Sequence, residues 1–187
     1  MGNIYKVTGI KDATLQYLLS GSIADVDIPF GNTFSLEVEA EEIEFEGDNT
    51  KESVFSNQSL KGTLGFDKWS EEVLERLYNK TALTSGLEAG EAKRYYMGDD
   101  GELAPPNIGL KVTLAAINDS TEAAAELRLR VFKAKCNPFK PAEAKNADKW
   151  APTEVEWTAE KTSTDLAGAA LPSVPTGGAL YSISVLS

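Results

Sequence analysis

The sequence predicts a mainly β domain, with a β-sandwich or barrel-like core and one flanking α-helix. Three observations lead to this fold class. Short runs of residues alternate between apolar and polar, which is the period of a strand with one buried face. Glycine, proline, asparagine and aspartate separate these runs, as in sandwiches and barrels. One segment, at about residues 69–79, instead has apolar residues four apart, the spacing of a helix face.

The first alternating strand runs from Phe34 to Phe45 and carries a row of glutamates between its apolar residues. The apolar residues fall on even positions as far as Ala40 and on odd positions after it. Since such a slip moves side chains to the other face of a sheet, we expect a β-bulge at this point. A second strand follows at 59–66 and contains Gly62.

The predicted helix comes directly after this second strand. Trp69, Val73 and Leu77 are spaced by four, and Leu74 lies beside them on the same helical face. We expect these four residues to pack against the sheet.

Four later runs alternate in the same way, at residues 110–116, 127–131, 154–160 and 179–186. No repeat of fixed period and no low-complexity linker divides the chain, so the sequence predicts one domain, residues 1–187. Polar or Gly- and Pro-rich stretches predict loops at about 47–58, 84–107 and 137–152.

Composition argues against several classes of function. The chain has 29 acidic and 18 basic residues and a net charge of −11, so it has no basic excess with which to neutralise nucleic-acid phosphates. It has no histidine, which excludes Ser-His-Asp and Cys-His sites and imidazole metal ligands. The apolar runs are too short to cross a bilayer. We therefore expect no enzyme activity, no catalytic, cofactor or metal site, and no membrane anchor.

Cys136 is the one cysteine and cannot form a disulfide within the chain. The neighbouring Lys135 could lower the pKa of its thiol. Without a partner base, an incidental thiol at a strand end is the favoured interpretation. We expect Cys136 to be dispensable for folding.

The order of the elements resembles the major tail tube proteins of long-tailed bacteriophages, whose fold is also used by the type VI secretion tube. The resemblance covers about residues 34–162. It is carried by the strand ending in FEGDN, the strand-to-helix step after it, and the later segments RVFKAKCNPF and PTEVEW. The long segment 84–107 departs from the family pattern.

The resemblance implies a structural protein of the virion tail, assembled in the host cytoplasm. Six copies would form a ring, and the rings would stack into a tube through which genomic DNA passes without specific binding. It also implies contacts with the tape-measure, tail terminator and baseplate or tip proteins, and with a sheath if the tail contracts. An excess of carboxylates suits a lumen that must not grip phosphates.

The segment after the acidic strand matches the ring-stacking loop of this family. The resemblance therefore implies a stacking role for its residues, namely Gly47, Asp48, Asn49, Thr50, Lys51, Glu52, Val54 and Phe55. Within it, Val54 and Phe55 are the apolar anchor we expect in an interface. The alternative interpretation is a solvated hairpin tip.

Two other functions remain open from the sequence. One is a monomeric β-sandwich binding module, for example for carbohydrate. The other is a different virion part, such as a decoration or head-tail completion protein. Rings or tubes in the electron microscope would favour the tube subunit, and uniform small particles would favour the binding module.

Overall fold

The computed structural model describes residues 4–28, 31–47, 50–66, 71–96, 104–137 and 153–186; for residues 31–32, 41–47, 50–57, 66, 74 and 153 it describes the backbone alone. The chain forms one short helix, α1 (Glu71–Tyr78), and eight strands: β1 (Tyr5–Leu19), β2 (Ser22–Asp27), β3 (Gly31–Gly47), β4 (Thr50–Phe66), β5 (Ile108–Asn118), β6 (Ala124–Cys136), β7 (Thr153–Glu160) and β8 (Tyr181–Leu186). The predicted mainly β fold class is confirmed.

The strands form one antiparallel sheet in the order β2-β1-β5-β6-β7-β4-β3. β6 is the long central strand, and two strands share one of its edges. β8 pairs with residues 126–131 of β6, and β7 pairs with residues 134–136. β3, at one end of the order, contacts β1 near the other end. The sheet therefore curls around its own core, which gives the barrel-like form.

The core lies inside this curled sheet and receives side chains from most of the strands. Its largest fully buried side chains include Trp157, Leu15, Leu60 and Leu110. Trp157 stacks on Phe34, with 6.0 Å between the ring centroids. Each such side chain removes a large apolar area from water, so this core supplies the main favourable term in folding.

The helix α1 closes one side of the core, as its apolar spacing predicts. Val73 and Leu77 are each 1% exposed, and Tyr78 beside them is equally buried. Leu74 lies in α1 with its backbone described, and Trp69 lies outside the described residues. The packing of these last two side chains remains a prediction.

The strands β1 and β2 were not predicted from the sequence. The pairing of β1 with β5 shifts register between Val7 and Gly9 and again between Ile10 and Asp12. Each shift adds one residue to β1 and moves the following side chains to the other face. The alternation that marks a strand is therefore broken twice within β1.

The predicted loop at 47–58 is wrong, because residues 50–58 belong to β4. They pair with the acidic half of β3, so that Gly47 lies opposite Thr50 and Glu41 opposite Ser56. A polar sequence can form such a strand because backbone hydrogen bonds, unlike core packing, do not require apolar side chains.

The two later predicted loops lie partly outside the described residues. In 84–107, the described residues 84–96 and 104–107 contain no helix or strand, and a single bridge joins Leu83 to Arg94. Of the predicted loop 137–152, the structure describes Asn137 alone.

Candidate assembly surface

The far half of the β3–β4 hairpin extends beyond the rest of the sheet. We call residues 41–47 and 50–56 the arm. Pairing between β4 and β7 stops at Ser59 and Glu160. From there to the pair formed by Gly47 and Thr50, β3 and β4 pair with each other and with no other described strand. The arm is thus a two-stranded ribbon, and isolated ribbons of this kind are marginally stable in water.

A register shift marks the base of the arm. Glu39 pairs with Ser59 and the next pair is Glu41 with Ser56, so β4 contributes the extra residue. A bulge therefore lies at the slip after Ala40, but on β4, so it does not absorb the slip within β3 as the sequence predicted. Such a bulge increases the local twist and can redirect the ribbon relative to the sheet.

An ion pair links β3 to β4 next to the bulge, on the side of the rest of the sheet. The ammonium of Lys61 donates to Oε1 of Glu39 at 2.6 Å. This hydrogen bond, together with the charge of Glu39, raises the pKa of Lys61. Both side chains are about half exposed, so the pair contributes little to stability.

The structure brings the predicted stacking residues together along the arm. Asp48 and Asn49 lie outside the described residues. The others lie on the backbone of the arm, where the register places Gly47 opposite Thr50, Glu46 opposite Lys51, Phe45 opposite Glu52, Ile43 opposite Val54, and Glu42 opposite Phe55. Their role in stacking remains a prediction.

β8 presents the most exposed apolar side chains of the sheet's inner face. Ile183 lies opposite Leu129 of β6, and Val185 lies opposite Leu127. Leu129 is buried, yet Ile183 is 61% exposed and Val185 is 54% exposed. Directly opposed residues share a face, so the face that forms the core continues onto β8, where no described residue covers it. The sequence placed these two side chains on one face but gave no sign that the face is open.

The outer face of the same region carries basic side chains. Arg128 and Arg130 of β6 lie opposite Ser184 and Ser182 of β8. On the next strands, Lys111 donates to Oδ2 of Asp25 at 2.6 Å. This face is thus locally basic in a chain whose net charge is −11.

Two acidic groups lie within this basic region: Glu126, which pairs with Lys11, and Asp25. Burial would raise the pKa of Asp25, but hydrogen bonds from Lys111 and Gln16 and the charges of Lys111 and Arg130 outweigh it, so the pKa is lowered. The carboxylate therefore stays charged and neutralises Lys111 in part.

The thiol of Cys136 is not activated as a nucleophile. Cys136 is buried, and burial raises the pKa of its thiol to about 12. The expectation that Lys135 could lower this pKa is wrong, because removal of the sulfur from water outweighs a neighbouring lysine. In the described ranges, no group of three or more Cys, Asp or Glu side chains is arranged to hold a metal ion. No described helix is long and apolar enough to cross a membrane.

Comparison with known proteins gives similarities of structure alone. No protein-family model matches the chain, and no curated protein sequence does. Eight chains of solved structures are similar, and three of them illustrate the likeness. The first is the sheath-tube complex of an extracellular contractile injection system, PVC, in its extended state: 14% identity, TM-score 0.43, covering 80% of this chain and 84% of that one.

The other two are assemblies of the anti-feeding prophage. Its tube-terminating cap has 9% identity and a TM-score of 0.46, covering 93% of this chain and 88% of that one. Its baseplate has 12% identity and a TM-score of 0.38, covering 82% and 89%. All three TM-scores lie below 0.5, so no residue role or partner is transferred from these structures.

Proposed function

We propose that this chain is a bacteriophage major tail tube subunit, and that six copies close into rings that stack into the DNA-conducting tube. The observation that carries the proposal is the arm, a long hairpin that leaves the sheet and pairs with no other described strand. A ribbon of this length needs a packing partner to be stable. In a stacked assembly the adjacent copy supplies that partner.

The composition of the arm also fits a tube. Residues 41–47 and 50–56 hold five acidic residues and one lysine. Carboxylates at or near a lumen repel DNA phosphates, so DNA can pass without being held. In a monomeric protein this row of like charges would only repel along β3, since the register places a neutral or basic residue of β4 opposite each of its glutamates.

The open edges of the sheet support self-assembly as well. β2, β3 and β8 each have one edge without a hydrogen-bonded strand in the described part of the chain. Exposed edges promote aggregation unless they are protected or used. Closure of a ring by pairing between copies would use them, and a closed ring ends growth in that direction.

The proposal includes the partners and location that the sequence resemblance implies. The tube would contact tape-measure, terminator and baseplate or tip proteins, and a sheath in a contractile tail. The subunit would be made in the host cytoplasm and reside in the virion tail. It would act without catalysis, since the chain lacks histidine and its thiol is buried.

Electron microscopy of the concentrated protein tests the proposal. The wild-type chain is expected to form rings of six and stacked tubes. A variant in which residues 42–55 are replaced by Asn-Gly joins the paired residues Glu41 and Ser56 by a two-residue turn. It is expected to keep its fold by circular dichroism and to form no tubes.

Point variants of the arm refine the test. Phe55→Ala is expected to reduce tube growth more than Lys51→Ala, because aromatic anchors dominate interfaces and exposed charges contribute little. Uniform small particles at high concentration would refute the tube function and favour the monomeric binding module. Normal tubes from the arm-shortened variant would instead show that stacking uses another segment, with 84–107 the next to examine.

A further inference from the structure

The open edge of β8 has two faces of different chemistry. On one face, Ile183 and Val185 are more than half exposed. On the other, Ser182 and Ser184 alternate with them. β8 pairs with β6 along one edge, and no described strand pairs with the other. The edge can therefore accept a further strand, with one apolar row and one polar row.

Two arginines of β6 lie next to the serine row, on the side away from the open edge. Arg128 lies opposite Ser184 and Arg130 opposite Ser182. Arg128 is exposed, and the ion pairs among described residues do not include it. The guanidinium of Arg130 lies over the ring of Phe132 at 5.6 Å, and its buried Nε has no hydrogen-bond partner among described residues. Serine side chains are short, so they leave the exposed guanidinium of Arg128 open to an incoming strand.

This arrangement specifies the chemistry of the strand that would bind. Its residues should alternate between apolar and acidic, with apolar ones beside Ile183 and Val185 and acidic ones beside the serines. A strand added to β8 would lie two strand spacings, about 10 Å, from β6. Arginine and glutamate are both long enough that together they can bridge this gap.

The chain itself contains a sequence of this kind. Residues 42–46 read Glu-Ile-Glu-Phe-Glu and belong to β3, whose second edge has no hydrogen-bonded strand in the described ranges. We propose that β8 of one copy pairs with residues 42–46 of β3 in a second copy. This proposal rests on the proposed tube function and specifies which edges join neighbouring subunits.

The pairing has a consequence for symmetry. The two surfaces, β8 and β3, are different parts of the chain, so the contact is head-to-tail. Such contacts produce a ring when the rotation closes, and an open series of copies, as along a stacked tube, when it does not. The contact also covers the open edge of β8 and part of the open edge of β3. It places the acidic strand beside β8, near Arg128 of β6.

A disulfide experiment tests the pairing directly. Chains carrying Ser184→Cys are mixed with chains carrying Glu42→Cys, Glu44→Cys or Glu46→Cys, and cross-linked dimers are identified by mass spectrometry after mild oxidation. We expect one of the three mixtures to cross-link at least about tenfold more than a mixture with Glu154→Cys, an exposed position on β7. Cys136 is 4% exposed and does not compete. Equal yields in all four mixtures would overturn the proposal.

Assembly measurements give a second, independent test. Ile183→Lys is expected to raise the protein concentration needed for assembly by about tenfold or more, since inward-facing lysines block edge pairing. Ile4→Lys is the control, because Ile4 is 63% exposed and Ile183 is 61% exposed. Arg128→Glu should act like Ile183→Lys, and adding Glu44→Lys should restore assembly in part. Ile183→Lys and Arg128→Glu should both have the melting temperature of the wild type.

The outcomes separate this inference from the proposed function. Tubes without the specific cross-link, or tubes unaffected by Ile183→Lys, would overturn the edge pairing and leave the tube function standing. The specific cross-link in a protein that never forms tubes would support the pairing and refute the tube. If nucleic acid occupied the edge instead, Arg128→Glu would reduce DNA binding while Ile183→Lys would leave assembly unchanged.

Discussion

Gly62→Ala tests the closest contact in the core. Gly62 of β4 lies opposite Trp157 of β7. A Cβ atom at position 62 would lie 2.2 Å from Cζ2 of Trp157 and 2.2 Å from the carbonyl oxygen of Ser35. Carbon atoms do not approach non-bonded neighbours this closely. The ring is 1% exposed and stacks on Phe34, so it has little room to move.

The expected cost follows from two opposing effects. Forcing an extra methyl group into a packed core costs about 1–3 kcal/mol. Replacing glycine by alanine restricts the unfolded chain and returns about 0.4–1 kcal/mol. The net loss is therefore on the order of 1–2 kcal/mol. For a chain of this size each kcal/mol lowers the melting temperature by about 2–4 °C, so we expect a decrease of roughly 2–8 °C.

Thermal unfolding followed by circular dichroism measures this change. Gly9→Ala is the matched control, because Gly9 also lies in a strand and a Cβ there would meet nothing within 4 Å. Gly62→Ala should cost less in a Trp157→Phe background, where the smaller ring leaves space, and this double-mutant cycle isolates the contact. A melting temperature for Gly62→Ala equal to that of Gly9→Ala would refute the reasoning.

Four further predictions concern the helix, the thiol and the outer face. Leu77→Ala should cost about 2–5 kcal/mol in urea unfolding, because the side chain is fully buried; a loss below about 1 kcal/mol would contradict its core position. The thiol of Cys136 has an ordinary pKa of 9.0, raised to about 12 by burial. The unfolded chain therefore ionises first, and the stability contributed by Cys136 should be lost as pH rises from about 9 to 12. Cys136→Ala should lose less stability over that range, and equal losses would contradict this. Cys136→Ser, by contrast, should cost about 1–3 kcal/mol by burying a hydroxyl, so the sequence-based expectation of dispensability is revised. The pKa of Asp25 is lowered in the folded protein, so its charge stabilises the fold at pH above about 4, and this stability is lost as the pH falls. Asp25→Asn should therefore be less stable than the wild type at pH 7, and the difference should shrink below about pH 4. A difference independent of pH would exclude the charge as its cause.

The sequence determined the elements whose pattern is local. Alternation with a period of two depends on successive residues alone, so the later strands, most of β3 and residues 59–66 of β4 could be found without knowing their partners. The spacing by four that predicted α1 is local in the same way. The slip after Ala40 predicted a bulge for the same reason, although not that β4 carries the extra residue.

The tertiary structure decided everything that depends on a partner strand. β1 was missed because its two bulges are visible only against β5. The polar strand of residues 50–58 was taken for a loop because its hydrogen-bonding partner, β3, is what makes it a strand. The burial of Cys136 and the exposure of Ile183 could not be predicted from the sequence for the same reason. Both lie in alternating strands, yet neighbours distant in sequence cover Cys136, while none in the described chain covers Ile183. Burial is a property of the assembled surface, and no local pattern contains it.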